Sequence, residues 1–176
     1  VLYRAEAFDA SVDRLAAIFA EYEKPLFAAS APMLRLALLF EYPTILTLGG
    51  CSHILDDETR LDLAATEDYY AEHRLTHGFI SPRMLRLYRN KDTALVRVIT
   101  GSERVVDTYS PDFEIYNLYG ASEGMLLCGF LIDKKYDNTP IGTAPSGIIT
   151  RLFDENGNEV EGQGEGEICA EGILPR

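Results

Sequence analysis

The spacing of apolar residues changes along this chain, and each change marks an element. Val12, Leu15, Ala16, Ile18, Phe19 and Tyr22 recur every three or four positions, which predicts an amphipathic helix over 11–23 with Asp9 or Ser11 as its N-cap. Pro25 ends it. Residues 34–40 are apolar except for Arg35 and predict a strand, Arg35 being a structural ion pair or an edge residue. Residues 44–48 predict a second strand that stops at Gly49-Gly50 and resumes over 52–55. Asp56, Asp57 and Glu58 then stand where a helix dipole favours carboxylates, and that helix runs to about His73. A strand over 75–80 follows. Ser81 and Pro82 are an N-cap and a first helical residue for a helix over 83–88. Residues 95–100 are a strand ending at Gly101, 114–119 a strand breaking at Gly120, and 125–131 a further apolar strand. Residues 148–153 lead into a hairpin with Asn156-Gly157 at its tip.

Strands alternate with helices over residues 43–133, and β-type segments follow over 134–176. The expected fold is therefore α/β, a mixed sheet with flanking helices followed by a mainly antiparallel β portion. The strands ending at Gly101 and Gly120 should lie side by side, with both turns on one edge of the sheet. Open α/β sheets bind ligands at that edge. An amide (Asn117), a phenol (Tyr119), a hydroxyl (Ser122) and a carboxylate (Glu123) fall within seven residues there. They suit a base, a phosphate and a metal; the alternative is a strand and turn that hold no ligand.

Composition narrows the classes. The 176 residues are 47% hydrophobic and 25% charged, which is ordinary for a globular chain. A net charge of −12 argues against nucleic acid as a partner. Seven acids between Asp154 and Glu171 read as a solvated face. Cys51, Cys128 and Cys169 form no CxxC or metal pattern and read as reduced, mostly buried thiols of a cytoplasmic protein. No apolar run spans a membrane, and the first residues carry no signal-peptide pattern. The chain opens on Val1 and stops at Pro175-Arg176, which reads as a piece of something longer. Gly162, Gly164 and Gly166 lack the Lys and Ser/Thr of a phosphate loop. His53 and Asp57 read as a solvated histidine beside a helix start, and His73 and His77 as surface or turn residues.

Asn117-x-Tyr119-Gly120-Ala121-Ser122-Glu123 resembles the N-x-Y-G-P-T-E motif of adenylate-forming enzymes, above all the adenylation domains of nonribosomal peptide synthetases. Ala121 replaces the family's Pro and Ser122 its Thr; Ser keeps the hydroxyl, while Ala loses the fixed φ of Pro. Gly49-Gly50-Cys51-Ser52-His53-Ile54-Leu55, Leu75-Thr76-His77-Gly78-Phe79, the Gly101-Ser102-Glu103 turn, Pro140-Ile141-Gly142-Thr143-Ala144-Pro145 and residues 164–172 extend the resemblance over 43–172. Phe8-Asp9-Ala10-Ser11-Val12 resembles a further adenylation segment whose Asp faces the substrate amine. Residues 25–35, however, are similar to a segment of condensation domains, so residues 1–41 are expected to be a condensation-like or junction segment.

The resemblance implies an amino-acid substrate, ATP and Mg, and a partner carrier domain bearing phosphopantetheine, with none of these held tightly. It implies Gly101, Ser102, Glu103, Asn117, Tyr119 and Gly120 around the nucleotide, and Ser122 and Glu123 as catalytic residues with Glu123 on the metal. It implies Leu118, Leu126, Leu127 and Asp9 around the substrate, whose side chain is then apolar; core packing explains the three leucines equally well. The family's Lys-bearing phosphate loop, its ribose-binding Asp and its small lysine-bearing C-terminal domain have no counterpart here. The chain is thus expected to be part of an amino-acid-adenylating module, active only within a longer chain. The other reading is a non-catalytic remnant or binding module of the same fold.

Overall fold

A computed structural model describes residues 4–31, 36–91 and 94–174. Helix α1 (Ala5–Phe19) leads into strand β1 (Leu26–Ala29), helix α2 (Leu36–Thr47) and strand β2 (Cys51–Ile54). Two short helices, α3 (Asp57–Leu61) and α4 (Leu63–Glu72), precede β3 (His77–Phe79), and α5 (Pro82–Leu85) precedes β4 (Arg97–Gly101). The strands β5 (Glu114–Ala121) and β6 (Met125–Ile132) form a hairpin, and β7 (Ile148–Phe153) and β8 (Glu167–Gly172) complete the chain. One six-stranded sheet has the order β2-β1-β3-β4-β5-β6; β7 and β8 form a separate antiparallel pair. The first five strands of the large sheet run parallel, and β6 closes it antiparallel to β5. The mixed α/β architecture expected from the sequence is present.

Both faces of the sheet are covered. Alternate strand residues feed two cores: Ala28, Val98 and Ile115 pack with Tyr70, Leu75 and Leu85 on one side, while Phe27, Ala29 and Ile99 pack with Val12, Leu15, Phe19 and Ile45 on the other. Every residue of β4 is buried, as expected of a parallel strand covered on both faces, which has no solvent side to alternate with.

Several local expectations are corrected. Helix α1 starts at Ala5, so Asp9 and Ser11 lie inside it; Arg4 is the N-cap and makes no side-chain capping bond. The Ser11 hydroxyl instead donates back to the Ala7 carbonyl at 2.7 Å, the local alternative open to a mid-helix serine. The two strands expected over 34–40 and 44–48 are one helix across its described span, α2, with Pro43 inside it. A continuous apolar run carries no period to separate helix from strand. The strand in this part of the chain is β1, whose Leu26–Ala29 pairs with Cys51–Ile54. Arg35 and Pro32 lie outside the described residues. The single helix expected up to His73 is two, because Asp62 takes an extended conformation and its carboxylate accepts from the Ala65 amide at 2.8 Å, capping α4. Asp56 caps α3 in the same way, accepting from Thr59 at 2.8 Å. Ser81 and Pro82 start α5 as expected.

His77 is not a surface residue. It is 1% exposed, with its ring against Phe19 and Tyr22 and its Nδ1 2.8 Å from the Thr76 hydroxyl. Burial, with Arg97 nearby, pushes its pKa down to about 4. Of the three free cysteines only Cys128 is buried; Cys51 and Cys169 are exposed. Arg14 ties α1 to the β7–β8 unit, donating to the carbonyls of Ser146 and Ile173. Among the described residues, no helix is long and apolar enough to cross a membrane.

Candidate functional site

β4 ends at Gly101, while the parallel β5 does not break at Gly120 as expected but runs on to Ala121. Their register pairs Thr100 with Asn117 and Gly101 with Leu118, so the turn after Gly101 and the β5–β6 hairpin turn after Ala121 lie toward one edge of the sheet. Gly101 has φ +152, and a Cβ there would sit 2.3 Å from the Leu118 carbonyl oxygen. Ser102 follows with φ 71. Across the hairpin, the register shifts between Tyr119 and Gly120, a β-bulge that bends the strand locally. A Cβ at Gly120 would lie 1.5 Å from the Met125 carbonyl oxygen, so the hairpin itself requires glycine there.

Above these strand ends lies a cavity of about 710 Å³, within the size range of small-molecule sites. Ile99, Thr100, Gly101 and Ser102 form one wall, Leu118, Tyr119 and Gly120 another, and Ser11 and Leu15 of α1 with Glu41 of α2 a third. Arg60 and Leu61 from α3, with Met84 of α5 and its N-cap Ser81, complete the rim. Two bonds hold the floor: the Thr100 hydroxyl donates to the Ile80 carbonyl and the Ser30 hydroxyl to the Phe79 carbonyl, each at 2.7 Å.

Eight of the residues singled out from the sequence line this cavity: Gly101, Ser102, Glu103, Leu118, Tyr119, Gly120, Ser122 and Leu126. Four do not. Asn117 is 5% exposed and donates to the Pro140 carbonyl at 3.0 Å, joining β5 to the following loop. Glu123 is exposed in the hairpin turn, Leu127 is half-buried in β6, and Asp9 is exposed on α1. Ser11, two residues on, is the part of that segment that reaches the cavity. Among the described residues, no group of three or more His, Cys, Asp or Glu is placed to hold a metal ion. Glu123 is a single carboxylate, the kind of ligand set that Mg shares with substrate phosphates and water.

Sequence reasoning missed the most unusual side chain at the site. Glu41 is 2% exposed, and its Oε2 has no hydrogen-bond partner among the described residues. Burial pushes its pKa up to about 8. The available signal was its position: an acid inside the otherwise uncharged run of α2, Leu36–Thr47. Arg60 is the one Lys or Arg among the described lining residues, and it is bridged to Asp57 at 2.8 Å.

Comparison with known proteins agrees with this arrangement. The description of AMP-binding enzymes matches residues 8–174. Bacitracin synthase 1 of Bacillus licheniformis is 26% identical over 138 residues, covering 77% of this chain and 3% of that protein. Surfactin synthase subunit 2 of Bacillus subtilis (strain 168) is 25% identical over 129 residues, 72% of this chain and 4% of that protein. The solved structure of PA1221, described as an NRPS protein containing adenylation and PCP domains, superposes with a TM-score of 0.76 at 22% identity, covering 94% of this chain and 37% of that one. The chain thus spans a few per cent of its curated relatives and about a third of this structural neighbour. The condensation-like reading of the condensation-like or junction segment expected over 1–41 finds no support: the AMP-binding match already begins at residue 8 and β1 lies inside the large sheet, between β2 and β3. Matched over nearly its whole length and folded like a nonribosomal-type adenylation domain, the chain belongs to the family of AMP-binding enzymes.

Proposed function

We propose that this chain supplies the base-binding and acyl-binding part of an amino-acid-adenylating module in a nonribosomal peptide synthetase. The observation that carries this reading is the placement of the Gly101 turn and Tyr119 on two walls of one cavity at the carboxyl ends of β4 and β5. Tyr119, 39% exposed, offers an aromatic surface on which a flat ring can stack. Leu118 and Leu126 supply apolar walls for the acyl portion, which favours an amino acid with an apolar side chain. Bound ATP would bring the leaving pyrophosphate, with Mg held by Glu123 and the phosphates. The acyl group would pass to phosphopantetheine on a neighbouring carrier domain.

Phosphoryl chemistry relies on positioned positive charge. Lys24, Lys91, Lys134 and Lys135 are the chain's lysines, and none lines the cavity. Arg60 is the one Lys or Arg among the described lining residues and is paired with Asp57, which supports reading the chain as a binding portion of the machine. The same observation supports the second reading, a non-catalytic module that keeps the fold.

Adenosine binding tests the reading. Stacking contributes about 0.5–1.5 kcal/mol beyond area burial and each hydrogen bond about 1 kcal/mol, so after the entropy of association the affinity should be millimolar. Amide chemical shifts should move around Gly101 and Tyr119. Tyr119→Ala should abolish the effect, and Glu123→Ala should barely change it. An absence of shifts at millimolar adenosine, or shifts confined to distant residues, would favour the non-catalytic module.

A further inference from the structure

Two of the chain's three histidines meet away from the cavity, and neither lines it. His53 is half-buried on β2, the edge strand of the large sheet. His73 is the exposed C-cap of α4. Their ring centroids lie 5.3 Å apart with the planes at 50°. Tyr69, one turn before His73 on α4, touches both. Its ring centroid is 4.2 Å from that of His73 and 6.1 Å from that of His53, and its hydroxyl lies 3.4 Å from the His53 Nδ1. Among the described residues, that hydroxyl is the one hydrogen-bond partner of the His53 ring, and the His73 ring has none. Aromatic packing explains why Tyr69 lies on His73, but it uses none of the free ring nitrogens.

We propose that His53 and His73 form a binding site for a divalent transition-metal ion, with water completing its shell. The inference stands apart from the nucleotide reading. Zinc sits about 2.0–2.1 Å from an imidazole nitrogen, so two rings on one tetrahedral ion have centres about 5 Å apart. The observed 5.3 Å fits that spacing. Imidazole suits Zn, Cu and Ni, whereas Mg takes oxygen ligands, so the site is chemically distinct from one for the Mg of ATP. With the His53 Nε2 on the ion, Nδ1 keeps its hydrogen and donates to the Tyr69 oxygen, the outer contact that orients a ligating histidine. A cation here also lies at the C-terminal end of α4, where the helix dipole favours positive charge. The net charge of −12 draws cations to the chain as a whole. No third His, Cys, Asp or Glu joins the pair among the described residues, so the remaining positions on the ion are open to water. The ion would tie the edge strand to the end of α4, and its binding would stabilise the folded chain.

The test titrates the chain, without a histidine tag, with ZnCl2 and follows the histidine Cε1–Hε1 signals by NMR. The chain's three histidines give three signals, and His77, 1% exposed, is the internal reference. The His53 and His73 signals should move together along one binding curve while His77 stays in place. MgCl2 over the same range should move neither. Changes around a metal's ligands cost about 10–100-fold in affinity, so His53→Gln and His73→Gln should each weaken Zn binding by about tenfold or more, read at the surviving histidine. Both positions lie at least partly in solvent, and an unmoved His77 signal in each variant checks that the fold is kept. A response of only one of the two histidines, an equal response to MgCl2, or wild-type affinity in either variant overturns the proposal.

Discussion

Gly101 and Leu118 face each other across β4 and β5 so closely that a Cβ on Gly101 would lie 2.3 Å from the Leu118 carbonyl oxygen. The contact is with backbone, so no rotamer change relieves it. The same pair places the Gly101 turn and the β5–β6 hairpin turn toward one edge of the sheet.

Gly101→Ala should therefore strain both strand ends. With φ +152 at that position, the backbone term alone is about 1–3 kcal/mol. Urea denaturation should show a loss of at least that size, together with amide shifts at Leu118 and Tyr119. A variant as stable as the wild type would mean that the β4–β5 contact is looser than described.

Asn117 and Tyr119 stand two residues apart and should behave differently. Asn117→Ala removes the donor to the Pro140 carbonyl inside a buried position, which costs about 1–3 kcal/mol of stability. In the protein that remains folded, adenosine affinity should be close to that of the wild type, because Asn117 does not line the cavity. An adenosine defect without a stability defect would reverse the roles.

Stability should depend on pH through two buried groups acting in opposite directions. Glu41 titrates near 8 in the folded chain against an ordinary 4.5. Between those values the unfolded chain has lost this proton and the folded chain keeps it, so stability falls as pH rises from about 4.5 to 8. His77 titrates near 4 against an ordinary 6.5. Between those values the unfolded chain binds the proton and the folded chain does not, so stability falls as pH drops from 6.5 to 4. Glu41→Gln should gain about 2–5 kcal/mol over the wild type at pH 8 and little at pH 4.5. His77→Gln should flatten the acid side relative to the wild type. Denaturation curves at pH 4.5, 6.5 and 8 check both; parallel profiles for wild type and variants would contradict them.

Pyrophosphate exchange tests whether the chain acts only as a binding portion. With no lysine on the cavity wall among those described, the chain alone should give no amino-acid-dependent exchange with any proteinogenic amino acid. Exchange above a no-enzyme control would show that the positive charge comes from within these residues.

The site was legible where the sequence had period and punctuation. β-branched and aromatic residues before Gly101 and Gly120 marked β4 and β5, and Ser81-Pro82 marked the start of α5. It was illegible where burial on both sides erased the period. The apolar run of α2 read as strands, and the four residues of β1 were hidden beside it. His77 looked like a turn residue because histidine tolerates either setting and only the packing of Phe19 and Tyr22 decides. Glu41 escaped notice because a lone acid next to an aromatic pair looks like an exposed helix residue until α2 is placed against the cavity.

On the proposed function, one cavity takes both the base and the acyl portion of an adenylate. The most direct measurement is calorimetric titration of this chain with a non-hydrolysable aminoacyl-adenylate analogue, a sulfamate in place of the phosphate, against adenosine and the free amino acid. If both halves share the cavity, joining them makes the second contact intramolecular, and the analogue should bind about 100-fold or more tightly than adenosine alone. Equal affinities for the analogue and adenosine would contradict the account.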